Sequence, residues 1–295
     1  MTHPLAESYA YCRRLTRRTA GNFGYAFWAL PIEERRAMDA LYAFLRLTDD
    51  IGDEPTCDLP TRQRQLDAWR HDLQSALGGA CVDHPVWPAV VDVVQRYDIP
   101  PRHLATVIEG VAMDLVPRPF ETFCQLSDYC YHVAGAVGLC CIRIWGCRDA
   151  NAEPYAVDCG LAFQLTNILR DLGEDAAQGR IYLPLEDLRR FGYTVEDLSA
   201  RRTSREFRHL MAFEAERAWS CYRSSARLLD YLSPAGCKVL QIMRKIYAGL
   251  LREIERREFD VFSRRVRLPT WRKLWITGST IWGSEGGGHA LERTS

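Results

Sequence analysis

An all-α fold, built as a single-domain helical bundle, is what this sequence predicts, and three observations predict it. Apolar residues recur at helical spacing through most of the 295 residues, and no low-complexity linker divides them. Two stretches, 204–231 and 234–257, are long and amphipathic, as the staves of a bundle are. Two more, 42–53 (YAFLRLTDDIGD) and 164–175 (QLTNILRDLGED), each collect polar groups on one helical face among apolar neighbours.

Taken in order, residues 5–18 are expected to form a basic amphipathic helix that Gly21-Asn22 breaks. An aromatic segment, 23–30, follows with Phe23, Tyr25, Phe27 and Trp28, and Pro31 suits the first turn of the next helix, 32–51. That helix carries Tyr42, Arg46, Asp49 and Asp53, which share a stripe of roughly 60° at 3.6 residues per turn. Helices over 62–77, ended by Gly78-Gly79, and over 86–97 and 102–115 come next, the last two separated by Ile99-Pro100-Pro101.

A long apolar helix over 123–146 contains Ala134, Gly135 and Gly138. Glycine inside a helix costs about 1 kcal/mol relative to alanine, so either close helix packing or room for an apolar ligand must offset it. The helix starting near Pro154 carries Gln164, Asn167, Asp171 and Asp175 within a wedge of roughly 80°, and Gly179 stops it. Residues 180–184 (RIYLP) form a strap beside that stripe, and short helix and turn over 185–198 lead to the two staves. One helical domain is expected over 1–273, with 274–295 as a disordered tail.

The 38 basic and 38 acidic residues cancel, which removes the global electrostatic case for nucleic acid as a partner. Eleven scattered cysteines with no CxxC pair suit free thiols in a reducing compartment. The N-terminus is polar and no apolar run reaches the 18 or so residues needed to span a bilayer, so the expected location is cytoplasmic.

Carboxylates four residues apart on a helix repel, and a cation relieves them. Mg²⁺ takes one or two carboxylates, keeps several waters and completes its octahedron with substrate phosphate. Two such stripes facing each other across a cavity would hold Mg²⁺, or Mn²⁺ in its place, and through the ions a diphosphate. Solvated surface faces are the plainer explanation for one acidic run; two runs, each mixed with uncharged hydrogen-bonding groups and flanked by apolar residues, weigh against it.

From about residue 11 to 273 the chain resembles the squalene/phytoene synthase family, which joins two prenyl diphosphates head to head. Its most specific segment is 164–184, QLTNILRDLGEDAAQGRIYLP. The resemblance implies a bundle of the class I isoprenoid synthase type around a central apolar cavity. It implies Asp49, Asp53, Asn167, Asp171 and Asp175 as metal ligands, with the four aspartates and Tyr182 as the catalytic set. Phe23, Phe27, Tyr129, Val133 and Val137 would line the hydrocarbon pocket, and Tyr42, Arg46, Gln164, Asn167, Arg170, Tyr247 and Arg265 would contact substrate. Arg264, Arg265 and Arg267 would close over a diphosphate or else meet water or anionic lipid. One departure is Ala20-Gly21-Asn22-Phe23, which lacks the serines that often precede this phenylalanine in the family.

The product expected first is C30, presqualene diphosphate or squalene from two farnesyl diphosphates, on the ARNF-like start at Ala20-Gly21-Asn22-Phe23 and the run 142–146. Phytoene from two geranylgeranyl diphosphates is the alternative. NADPH enters only if the reaction ends in hydride transfer, and no dinucleotide fingerprint follows a strand. A class I terpene cyclase or a non-catalytic lipid-binding factor would share part of this pattern; the match over both 129–138 and 164–184 and the complete acidic stripes oppose them. Peripheral membrane contact suits an apolar product, and oligomeric state is not written in the pattern.

Overall fold

The computed structural model describes residues 4–283, and they fold as α-helices joined by short turns. Helices α1 (Leu5–Thr19), α2 (Gly21–Ala26), α3 (Ile32–Asp53), α4 (Leu59–Leu77), α5 (Trp87–Arg96) and α6 (Pro101–Asp114) make up the first part. Then come α7 (Phe123–Cys130), α8 (Ala136–Ile144), α9 (Glu153–Ala177), α10 (Leu185–Phe191) and α11 (Val195–Ser199), followed by α12 (Arg205–Ser224), α13 (Pro234–Arg256) and α14 (Thr270–Trp282). Local chemistry explains several boundaries. Asp58, Thr122, Thr194, Ser204 and Ser233 each accept a backbone N–H in the first turn of α4, α7, α11, α12 and α13. Thr194 and Asp197 complete a reciprocal capping box, and Gly192 closes α10 in the left-handed conformation that glycine takes without cost.

Two differences from the sequence-based expectation carry physical content. The long apolar helix over 123–146 is not one regular helix: residues Tyr131–Gly135 form a π-helical turn between α7 and α8. Such turns insert a residue into the helix and frequently mark functional sites. The other difference is the end of the domain. Helix α14 runs across the boundary expected at 273, because Ile276, Thr277 and Thr280 are buried against the body and order the segment. Residues 284–295 of the expected tail, and the side chain of Asn22, lie outside the described residues.

α9 runs through the middle of the bundle, packed on α12, α8, α13 and the π-helical turn, and Ala162, Leu165, Thr166, Ile168, Leu169 and Leu172 are buried along it. Thr166 shares a 2.9 Å hydrogen bond with the Tyr222 hydroxyl, and buried Arg244 donates to the Tyr222 carbonyl at 2.7 Å, which ties α9, α12 and α13 together. Close approach of the π-helical turn to α9 depends on missing side chains. A Cβ on Gly160 would stand 2.6 Å from the Ala134 carbonyl oxygen, and one on Gly138 2.7 Å from that of Ala156. Helix packing therefore requires these glycines, and Ala134, Gly138 and Gly160 border the cavity as well. No helix of the described residues is long and apolar enough to cross a membrane.

Candidate active site

α3 and α9 bring their polar stripes to one end of a cavity of about 700 Å³. It is lined by twelve of the residues singled out from sequence: Phe23, Phe27, Tyr42, Arg46, Asp49, Val133, Val137, Gln164, Asn167, Arg170, Tyr247 and Arg265. Behind the polar end the wall is apolar, with Leu41, Val107, Ile142, Leu228 and Met243 among its residues. Aromatic rings stiffen one side, since Phe163 stacks on Tyr247 at 4.5 Å and Phe23 lies 5.8 Å from the same ring. The volume falls within the roughly 300–1,000 Å³ typical of small-molecule sites.

The polar end is a set of carboxylates interleaved with arginines. Asp171, only 17% exposed, is held by Arg170 at 2.8 and 2.5 Å and by Arg265 at 2.9 Å. Arg265 also reaches Glu174 at 3.2 Å, so the segment after α13 is pinned over α9. Arg46 pairs with Asp50, and Arg180 on the strap reaches Asp53 at 3.4 Å. Asp53 itself is exposed, and Asp175 is half-buried.

Tyr129 and Tyr182 do not line this cavity. They border a neighbouring one of about 290 Å³ together with Asp114, Arg118 and Phe120. Both hydroxyls donate to Asp114, at 2.8 and 2.9 Å, and the two rings stack at 5.4 Å. Tyr129 is 3% exposed, so its contact is with this carboxylate.

Electrostatics distinguishes the carboxylates. Burial and the nearby Asp53 push Asp49 up to about 7. Asp49 is nonetheless exposed and borders the cavity. Burial and Asp171 likewise push Asp175 up to about 7. Asp114 is raised by burial, against the hydrogen bonds from Tyr129 and Tyr182.

A folded-state carboxyl raised above its unfolded value binds extra protons between about pH 4 and 7, so stability falls as pH rises through that window. The metal-free protein is therefore expected to melt lower at about pH 8 than at about pH 6, and Asp49→Asn with Asp175→Asn to flatten that slope. Glu214, pushed up to about 8 by burial, keeps part of it. Adding Mg²⁺ with inorganic diphosphate at about pH 8 should raise the melting point by about 5 °C at a hundredfold excess over Kd. Differential scanning fluorimetry reads both effects; a flat pH profile of the unliganded protein would contradict them.

Among the described residues no three His, Cys, Asp or Glu side chains converge closely enough to hold a metal alone. The donor set suits a hard cation that brings its own phosphate and water ligands. Asn167 is the sharpest test of that fit. Its amide nitrogen donates to Gln164 at 3.4 Å, while its Oδ1 is buried without a hydrogen-bond partner. A buried acceptor left unpaired is costly, and a cation beside it would satisfy it.

Comparison with known proteins agrees with this geometry. The squalene/phytoene synthase family model matches residues 16–272. The chain belongs to that family. It is 36% identical over 285 residues to a phytoene synthase of Arthrospira platensis, covering 91% of each chain. A 15-cis-phytoene synthase of Synechococcus elongatus is also 36% identical, over 92% of this chain and 91% of its own. Among solved structures, a dehydrosqualene synthase with bound ligand superimposes with a TM-score of 0.86 at 28% identity, covering 94% of this chain and 96% of its own. A squalene synthase from Alicyclobacillus acidocaldarius gives 0.81 at 31% identity, over 86% and 95%.

Members of the squalene/phytoene synthase family are prenyltransferases that condense prenyl diphosphates head to head, and this chain has their all-α fold. Two polar groups of the site carry no strong sequence signal. Asp114 ends α6 in GVAMDL, away from either stripe, and Arg180 sits in the strap. Asp114 falls within the stretch that resembles the family and reads there as a helix-end group, while Arg180 has no signal beyond its place in the strap.

Proposed function

We propose that this chain is a phytoene synthase, joining two geranylgeranyl diphosphates to a C40 product. The observation that carries the choice is 36% identity over nine-tenths of the chain to proteins named phytoene synthases. It favours the C40 alternative over the C30 product expected first. The named dehydrosqualene and squalene synthases are similar in fold at somewhat lower identity.

In this proposal the cavity holds two prenyl chains along its apolar length, with the diphosphates at the end where Asp49, Gln164, Asn167, Arg170 and Arg265 meet. Asp49, Asp53, Asn167, Asp171 and Asp175 would hold Mg²⁺, which when bound neutralises the developing charge of a departing diphosphate. Arg46, Arg170 and Arg265 add paired N–H donors that match phosphate oxygens. In the ligand-free protein these arginines neutralise the carboxylates of their own site. Substrate phosphate offers them a second partner.

Val133, Val137, Phe23, Phe27 and Tyr42 exclude water from the allylic cation until it meets the double bond of the second chain. Tyr129 and Tyr182, fixed on Asp114, brace the acidic end of α6 and the strap beside it. Ending by proton loss requires no hydride donor, so NADPH is not part of the proposed reaction. Eleven free cysteines, six of them buried, support a reducing compartment for the protein.

Product analysis decides between the two chain lengths. The purified chain with Mg²⁺ is expected to turn geranylgeranyl diphosphate into a C40 hydrocarbon with a central conjugated triene, with no change on adding NADPH. A C30 hydrocarbon or presqualene diphosphate from farnesyl diphosphate, with geranylgeranyl diphosphate unused, would overturn the proposal.

A further inference from the structure

α14 turns two threonines inward and its tryptophans outward. Its buried side is Ile276 with the hydroxyls of Thr277 and Thr280, while Trp271, Trp275 and Trp282 are 69%, 67% and 82% exposed. At 3.6 residues per turn these three indoles fall within a wedge of roughly 40°. Gly278 lies on the same side, where a Cβ would come 3.3 Å from the Trp282 ring.

The helix is held firmly in this inverted orientation. Lys245 Nζ donates to Thr280 Oγ1 at 2.9 Å and Lys238 Nζ to the Ile281 carbonyl at 3.3 Å, both from α13. The apolar face widens next door, because α14 packs on the 3-10 turn Phe27–Ala29, whose Trp28 is also exposed, and Ile32 lies four residues on.

Charge on this part of the chain has one sign. Residues 261–283 carry Arg264, Arg265, Arg267, Arg272 and Lys273 and no carboxylate, in a chain whose total charge cancels. Arg265 is engaged at the site, while Arg264, Arg267 and Arg272 are exposed. Tryptophan is the side chain enriched at the headgroup level of a bilayer, and clustered cations are drawn to anionic lipid.

We propose that α14, extended by Trp28 and Ile32, is a docking surface for an anionic lipid bilayer. Its position gives the surface a purpose. α2 and the turn after it supply Phe23 and Phe27 to the cavity and also carry the contact with α14, so α2 and α14 together separate the cavity from the tryptophan face. An apolar product released there reaches lipid with little exposure to water. The inference goes beyond the choice of product and holds for C30 and C40 alike.

Vesicle flotation of the full chain tests it. The protein is expected to float with mixed phosphatidylcholine–phosphatidylglycerol vesicles, with a blue shift of tryptophan emission, and far less with phosphatidylcholine alone. Trp271→Ser with Trp275→Ser should lower partitioning at least about tenfold, and Arg267→Gln with Arg272→Gln should remove the preference for anionic lipid. Circular dichroism and melting curves matching the parent would establish that both variants fold, independently of any activity. Failure of the parent to float with either vesicle, or flotation of the folded tryptophan variant at the parent's level, would overturn the proposal. So would a parent that is dimeric in lipid-free buffer and does not float, with a monomeric tryptophan variant, since a second copy then covers the face.

Discussion

Asp49→Asn and Asp171→Asn are each expected to lower turnover by at least about 10²–10³-fold while leaving the melting point within a few degrees of the parent. The two carboxylates sit on different helices, α3 and α9, and reach the same polar end of the cavity, Asp49 directly and Asp171 through Arg170 and Arg265. Asn preserves shape and hydrogen-bonding capacity but removes the charge that a divalent ion requires. Loss should therefore appear in the rate and in the Mg²⁺ concentration needed for half-maximal activity, with little change in the fold. Asp49→Asn also removes a carboxyl whose ionisation burial and the nearby Asp53 disfavour, so that variant is expected to be slightly more stable than the parent at about pH 8. Steady-state assays across a Mg²⁺ series, paired with thermal melts, measure both. Near-normal turnover by either folded variant would remove these residues from the metal site.

Gly160→Ala should be among the most destabilising single-atom-scale changes in the protein. The added Cβ would stand 2.6 Å from the Ala134 carbonyl oxygen, 2.7 Å from its carbon and 2.8 Å from the Gly135 nitrogen. All three are backbone atoms of the π-helical turn, which cannot rotate away as a side-chain tip would. Overpacking of a well-filled core costs about 1–3 kcal/mol, and this contact belongs at the upper end. A loss of about 3 kcal/mol corresponds to roughly 6–12 °C in melting temperature for a chain somewhat smaller than this one. Gly24→Ala is the matched control, because its Cβ would meet only Ala20 Cβ at an ordinary 3.4 Å. That variant should melt within about 2 °C of the parent or slightly above it. Equal melting points for the two variants would mean that the close approach of the turn to α9 does not exist in solution.

The same glycine shows where sequence information ran out. Ala134, Gly135 and Gly138 stand out in the sequence as small residues that something must offset, but two explanations fit them equally. The structure puts the Ala156 carbonyl against Gly138 and the Ala134 carbonyl against Gly160, and Ala134, Gly138 and Gly160 also line the cavity beside Val133 and Val137, so close packing and room for a ligand both draw on these small residues. The π-helical turn that produces this geometry has no signature in YCYHVAGAVGLC, since it differs from an α-helix by one inserted residue and follows from packing against α9. Tyr129 shows the same limit. Its membership of a functional region was legible, but its partner, Asp114, lies fifteen residues earlier on another helix.

Periodicity by itself determined the helices, because a helix repeats every 3.6 residues and its polar and apolar faces are written locally. It also determined the two stripes, since Tyr42, Arg46, Asp49 and Asp53, and Gln164, Asn167, Asp171 and Asp175, are each set by spacing within one helix. What only the tertiary structure decided is what faces those stripes. Arg265 reaches Asp171 across ninety-four residues, and Arg180 reaches Asp53 across one hundred and twenty-seven. Of the outward tryptophans of α14, Trp275 and Trp282 fall in the stretch expected as a tail, and the exposure of all three depends on Thr277 and Thr280 being the side that packs. Spacing along one helix fixes angles around its own axis; the distance to another helix depends on how the whole core packs.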